Sequence, residues 1–506
     1  MMISNKNEFL ENICNPQLTP EQKLINLGNV AERFFDPIEL LGYTEEEFEF
    51  QKKDMICDLN EGFAIYRPRY VVPDYQVFVE KGCDFLSLNK PEDLDDLLDG
   101  LLILYSHVPS ITSFPVFIGH LDSLIDPFLT DNENSDYKKI KRFLNHIDKT
   151  ITDSFCHADI GPKDTKAGRL ILRAIIELEN PTPNMSIKYD PELTSVEFTK
   201  KAADACLRVS KPSFANHKMY SNDLGNYAMC SCYNALPQQG GAHTLLRLRL
   251  KTIAKECNTF EEYLKLVKKV SKAMLSMMDK RITFLLEKSN FFESSFLEKE
   301  GFISKDNFTA MFGLVGLADA VNYFLEKDGL TETFGQSKQG DKYATEILDL
   351  INNEVENHIG VGVSRTNNHY LMHAQVGANL SEEDKENTPA HRIKVGQEPE
   401  IADQIVQSAP FHKYFTSGTG DLYAFDQTYL DHLDSVKKII DGSFNLGYRY
   451  ITTYLKNTDL IRVTGYLVKK SEVEKLRNDG LALRDTAWFG MGNDDCNQVF
   501  DRKLRK

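Results

Sequence analysis

Hydrophobic positions change period along the chain, and the changes mark out alternating helices and strands. Between Thr259 and Leu286, the residues Leu264, Val267, Met274, Leu275, Met278, Ile282 and Leu285 recur at helical spacing. This predicts one long amphipathic helix whose methionines fill core space rather than hold a ligand. Glu92 to Ser106 begins acidic and turns leucine-rich, which suits the positive start of a helix dipole. Pro20-Glu21-Gln22 opens another helix, with Thr19 as its cap. Residues 1–110 therefore read as mostly helical.

Beyond that region, short apolar runs are punctuated by turns. Phe114 to Ile118 is a strand that enters the turn Gly119-His120-Leu121-Asp122, followed by a short helix ending near Asp131. Pro181 to Tyr189 reads as a strand bounded by prolines, Thr194 to Val209 as a helix, and Lys211 to His217 as a polar turn. Tyr227 to Gly241 is turn-rich and leads into a β-type run, Ala242 to Leu250. Met311 to Val321 is a strand entering a helix, and Asn379 to Glu400 is polar and loop-like. A helical block at Asp434 to Asp441 leads into Tyr450 to Tyr454, then into the apolar run Ile461 to Val468, and Ser471 to Asn478 is helix-like. Strand–helix alternation of this kind predicts an α/β fold.

Charge and cysteine usage narrow the function. The 506 residues carry a net charge of -16. That argues against nucleic acid polymers and anionic membranes as partners, both of which call for basic patches, and leaves small molecules open. No apolar run reaches the length of a membrane span, and the first residues lack a signal-peptide pattern, so a cytoplasmic protein is expected. The nine cysteines are scattered, odd in number and without a C-x-x-C pair. A disulfide framework and an internal zinc or iron–sulfur site are disfavoured, and no metal is expected.

Two places carry candidate chemistry. Gly465 lies inside the short run Ile461 to Val468. One reading is a strand whose glycine marks a bulge or close backbone approach. The other is a stored unpaired electron. Loss of a Cα hydrogen from glycine leaves a centre without Cβ, free to become planar and delocalised into the flanking amide and carbonyl. Cys230 and Cys232, separated by Ser231, head the other segment. They read either as inert buried thiols or as the partner that relays such a radical.

The pattern Arg462-Val463-x-Gly465-Tyr466-x-Val468, close to the C-terminus, resembles the radical loop of the glycyl radical enzymes, the family of pyruvate formate-lyase and anaerobic ribonucleotide reductase. The resemblance runs in order from Phe114 onward. Gly119-x-x-Asp122 with Pro127 is similar to a segment beside the family's substrate pocket, and Thr182-Pro183-Asn184 and Lys211 to Asn216 are similar to a barrel strand and turn. Cys232 followed by Gly241-x-x-Thr244-Leu245 resembles the cysteine loop of the anaerobic reductase, and Gly313-x-x-Gly316-Leu317-x-x-Ala320 resembles a strand entering a helix. Thr388-Pro389-Ala390-His391 carries histidine where the reductase branch often has glutamate. The chain is most similar to the YjjI-type branch. It departs from the others: Ser231 separates the two cysteines, no glutamate stands two residues after either, and the reductase's four-cysteine zinc site is missing.

The resemblance implies a ten-stranded α/β barrel of two half-barrels, with the cysteine and glycyl radical loops meeting inside. It divides the chain into a helical region (1–110), the barrel (111–455, cysteine loop near 227–243) and the radical loop with its tail (456–506). It implies a radical formed on Gly465 after translation by a separate activating enzyme, which uses S-adenosylmethionine and an iron–sulfur cluster of its own. It also implies a homodimer and a small-molecule substrate. Gly465, Cys232 and Cys230 are the catalytic candidates, with Cys232 the expected hydrogen-abstracting thiol. His120, Asp122, Asn184, Asn216, His243 and His391 are the substrate-binding candidates, although each also reads as a turn former or satisfied core group. Activity on nucleosides or nucleotides, and a barrel that kept the fold without turnover, are the alternatives.

Overall fold

The structure is a computed structural model and describes residues 2–32, 37–57, 65–108, 114–374, 388–455, 458–463 and 465–492. The polar segment expected from Asn379 lies outside the described residues as far as 387.

Local signals start the helices. Thr19 and Gln22 form a reciprocal cap: Gln22 N–H donates to Thr19 Oγ1 (3.3 Å) and Thr19 N–H donates to Gln22 Oε1 (2.9 Å), opening Pro20–Glu32. Asp93 caps Leu94–Tyr105, and Thr259 caps the long helix Phe260–Glu287.

The N-terminal region is not purely helical. It contributes β1 (Ile56–Cys57) and β2 (Tyr70–Val72), both antiparallel to a later long strand. The strands β3 (Phe117–His120), β4 (His157–Ile160), β5 (Asn184–Tyr189) and β6 (Ser213–Asn216) then form a parallel set. β6 is a correction, since Lys211 to His217 read as a turn. Ser213, Phe214, Ala215 and Asn216 are all buried, and β6 has a neighbour on each side. Pairing with both neighbours satisfies the backbone and overrides the polar composition.

Next comes an inserted hairpin, β7 (Tyr227–Cys230) and β8 (Asn234–Pro237), turning through Ser231-Cys232-Tyr233. β9 (Gly240–Arg249), β10 (Phe308–Val315) and β11 (Leu371–Ala374) are parallel and make a second sheet with β1 and β2. β12 (Asp421–Phe425) and β13 (Tyr450–Leu455) are parallel to each other and join the first sheet, β13 lying antiparallel to β6. Two backbone hydrogen bonds join the sheets where β11 meets the approach to β12: Ser417 N–H to Met372 O and Ala374 N–H to Gly418 O, both 3.1 Å.

Instead of one strand, Ile461 to Val468 forms a second hairpin, β14 (Leu460–Arg462) and β15 (Leu467–Lys469), with Gly465 at its tip. Its apolar residues make a small core of their own with Val473, Leu476 and Ala487, against which Trp488 packs. No helix among the described residues is long and apolar enough to cross a membrane.

Candidate active site

The tips of the two hairpins meet. Gly465 is buried, and a Cβ built on it would overlap the Cβ and Sγ of Cys232 and lie 2.8 Å from its Cα. The thiol therefore lies within about 4 Å of the Gly465 Cα, one carbon–carbon bond behind that point. Only a residue without a side chain fits here.

A dense set of bonds fixes both tips. Ser231 takes a left-handed backbone (φ 59), which turns the cysteine hairpin sharply. Its carbonyl accepts from His157 Nδ1 at 2.7 Å. Burial pushes the His157 imidazole down to about 3, so the ring is neutral, and its single proton sits on Nδ1 because a carbonyl can only accept. His157 Nε2 then accepts from Ser186 Oγ at 2.8 Å, and the Tyr450 hydroxyl lies 3.2 Å from Ser186 Oγ and 3.3 Å from the Cys232 carbonyl. On the other tip, the Gly465 carbonyl accepts from Asn184 Nδ2 at 2.9 Å and from Arg462 Nη1 at 3.1 Å. Arg462 Nη2 also donates to Asn184 Oδ1 (2.9 Å) and to Ser210 O (2.8 Å).

This setting decides the chemistry of the thiols. Burial pushes Cys232 up to about 12 and Cys230 well above its ordinary value. At neutral pH Cys232 keeps its S–H, which suits hydrogen-atom transfer and not thiolate attack. Cys230 Sγ faces back into its own hairpin, 3.4 Å from Asn234 O.

The predicted polar residues separate into groups. Asn184 sits between the tips and binds Gly465 itself. His120, at the end of β3, lies 3.0 Å from Gln238 Oε1, 3.2 Å from Lys188 Nζ and 3.5 Å from Asp159 Oδ2. Asp122 accepts from Gly161 N (2.9 Å) and Thr165 Oγ1 (3.2 Å), and burial pushes it up to about 6. Asn216 caps the helix His217–Leu224 and donates to Tyr448 O. His243 stacks on Phe308 and bonds Gly362 O at 3.0 Å.

His391 lies 2.9 Å from Thr419 Oγ1 and groups with His412 and Asp421. Their ligand atoms all lie within 4.8 Å of one another, a spacing open to an ion. However, Arg449 N–H donates to His412 Nδ1 (3.1 Å), which puts the ring proton on Nε2, and that proton faces Asp421 Oδ2 at 3.1 Å. His412 and Asp421 are therefore already hydrogen-bonded to each other, while His391 Nε2, 3.5 Å from Asp421 Oδ2, is buried without a hydrogen-bond partner.

Lys188 and Asp159 escaped the sequence reading. Burial brings Lys188 down to about 8 and Asp159 up to about 7, with the two charges opposing these shifts. Asp159 Oδ2 accepts from Met229 N–H (2.8 Å) in the cysteine hairpin, while Oδ1 is buried without a partner. His157 and Tyr450 were also missed. A polar residue at every second position of a fully buried strand was the available signal.

Comparison with known proteins places this geometry. A family model described as glycyl radical enzyme YjjI-like matches residues 18–505. An uncharacterized protein of Haemophilus influenzae is 64% identical over 506 residues, covering 100% of this chain and 98% of its own. The uncharacterized protein YjjI of Escherichia coli is 36% identical over 500 residues, covering 97% and 95%. Among solved structures, the anaerobic ribonucleotide reductase of Thermotoga maritima with dATP and CTP matches with a TM-score of 0.67 at 12% identity, covering 94% of this chain and 90% of that one. The glycerol-bound form of the B12-independent glycerol dehydratase of Clostridium butyricum matches equally, with a TM-score of 0.67, 12% identity, and 98% and 88% covered. The two sheets thus form the α/β barrel of these enzymes.

Proposed function

Starting from the YjjI-like glycyl radical enzyme family, to which this chain belongs, we propose that the protein stores an unpaired electron on Gly465 and uses it through Cys232. The contact between the two hairpin tips carries this reading. In the first step the Cys232 S–H bond breaks and its hydrogen atom passes to the Gly465 Cα radical, leaving C–H on the glycine and a thiyl radical on sulfur. The two bonds are of similar strength, so the step needs little driving force. The thiyl radical then takes a hydrogen atom from a substrate carbon held against it, re-forming S–H and leaving a substrate radical. Near-contact placement supplies much of the rate, and the buried site keeps water and oxygen from the intermediates.

Asn184 and Arg462 hold the Gly465 carbonyl, while His157, through Ser231, and Tyr450 hold the cysteine turn. Cys230, bonded within its own hairpin, supports the turn rather than the transfer. His120, with Lys188 and Asp159, offers polar contacts and exchangeable protons on the Cys230 side. The initial hydrogen leaves Gly465 through a separate activating protein that uses S-adenosylmethionine and an iron–sulfur cluster.

The test is electron spin resonance of anaerobic protein after incubation with that activating protein. A glycyl doublet is expected in the native chain and in Cys232→Ala, and none in Gly465→Ala. A signal that persists in Gly465→Ala would place the spin elsewhere and end this reading.

A further inference from the structure

A buried cation without a counter-charge among the described residues lies near the cysteine turn. Arg392 follows His391 on a turn clamped to the C-terminal end of β10, where Pro389 bridges Val315 and Gly316 N–H donates to Thr388 O at 2.9 Å. Its residue is 7% exposed, and Nη1 is fully buried without a hydrogen-bond partner. Among the described residues, nothing accepts a hydrogen bond from its side chain or pairs with it. The nearby carboxylates are engaged elsewhere: Asp421 by Ser408 and His412, and Asp319 by Thr388 and Lys394.

A second unpartnered group stands with it. Tyr233 directly follows Cys232, is 1% exposed, and has a buried hydroxyl with no hydrogen-bond partner. Its ring lies 6.0 Å from Tyr450 and 5.8 Å from His373. Gly418 and Thr419 link Tyr233 and Arg392: a Cβ built on Gly418 would overlap the Tyr233 carbonyl, and Thr419 Oγ1 lies 2.9 Å from Nδ1 of His391, the residue before Arg392. Burial pushes the Tyr233 phenol up, and Arg392 is the strongest influence pulling it back, which agrees with the guanidinium lying near that hydroxyl. Burial of an unpaired guanidinium costs several kcal/mol unless an anion offsets it, and its planar fork fits carboxylate or phosphate oxygens.

We infer that Arg392 and Tyr233 form an anion-binding subsite, so that the substrate is a small organic acid or phosphate ester whose reacting carbon lies against Cys232. The inference rests on the radical reading above for the role of Cys232. Arg392 pairs with the anion, and the Tyr233 hydroxyl donates to it. Neutral diols and nucleosides leave both groups unsatisfied.

The test uses full-length, unactivated protein titrated calorimetrically with inorganic phosphate and, separately, with acetate, with glycerol as the neutral control. Saturable binding of one anion is expected, weakened about ten- to hundredfold in Arg392→Gln and less in Arg392→Lys and Tyr233→Phe. Binding of phosphate alone assigns a phosphate ester, and binding of acetate alone assigns a carboxylate. No anion binding, or equal affinity in Arg392→Gln, overturns the inference. If Arg392→Gln fails to fold, native affinity in both other variants overturns it. No radical is needed, so a missing glycyl doublet would sink the proposed function while leaving the anion result standing. A doublet without Arg392-dependent binding would do the reverse.

Discussion

Gly465→Ala tests the hairpin contact by sterics alone, before any radical is made. The new Cβ would overlap Cys232 Cβ and Sγ and lie 2.8 Å from Cys232 Cα. Carbon atoms rest at about 3.5–4.0 Å, so one tip must withdraw by about 1 Å even at the most distant of these atoms. Neither tip moves freely: the Cys232 and Ser231 carbonyls are tied to Tyr450 and His157, and the Gly465 carbonyl to Asn184 and Arg462. Overpacking of this kind costs about 1–3 kcal/mol. The cost should appear as faster amide hydrogen exchange in β7, β8, β14 and β15, by about 5- to 160-fold under conditions where exchange reports local opening. Cys232→Gly removes the overlapped atoms, so Gly465→Ala should cost far less in that background, a coupling of about 1 kcal/mol or more across the double-mutant cycle. Unchanged exchange in Gly465→Ala, or an additive cycle, would show that the tips are not in contact and would refute the reasoning.

Three further outcomes follow from the same geometry. Activated protein exposed to air should be cut at Gly465, since oxygen adds to a carbon-centred main-chain radical; mass spectrometry should find one large fragment and a tail of about 41 residues, while unactivated protein and Gly465→Ala stay whole. Cys232→Ala should keep the doublet and lose turnover, whereas Cys230→Ser should keep part of both; the reverse pattern of activities would reassign the thiol. Burial holds His243 at about 4 against an ordinary 6.5, so its contribution to stability is full above pH 6.5 and declines as pH falls toward 4. Going from pH 7.5 to 5, His243→Gln should lose about 2 kcal/mol less stability than the native chain, and equal losses would contradict the burial argument.

Much of the candidate site could be read from the sequence because the proposed chemistry tolerates few residues. A radical on the main chain calls for glycine, and a relay calls for a thiol, so Gly465 and Cys232 stood out from their surroundings. Asn184 was also visible as a polar group at a strand start. Its bond to the Gly465 carbonyl, 281 positions away, was not, because sequence carries no strand order. Lys188 and Asp159 were hidden for a related reason: the alternation His157, Asp159 and Asn184, Ser186, Lys188 marks one polar face, but in strands buried along their whole length it does not tell which face meets the hairpin. Ser213 to Asn216 misread as a turn because small polar residues favour turns locally, while two flanking strands fixed them as sheet. His391 stands in the glutamate position of a familiar motif, and neither its bond to Thr419 nor the Arg392 beside it, unpaired among the described residues, could be inferred from that replacement.

The wide separation of the two hairpins along the chain matters during synthesis. The cysteine hairpin leaves the ribosome well before the glycine hairpin, which follows more than two hundred residues later. The bonds that hold the two hairpins in place include spans of 218 and 313 positions, Tyr450 to Cys232 and Ser154 to Leu467, and contacts so distant form late in folding. A nascent chain, or one ended by a premature stop before residue 465, would hold the thiol and most of the barrel with nothing to ignite it. On the proposed chemistry, reactivity thus arrives only once the glycine hairpin has been made, and chains that fail quality control before it carry no capacity for radical damage.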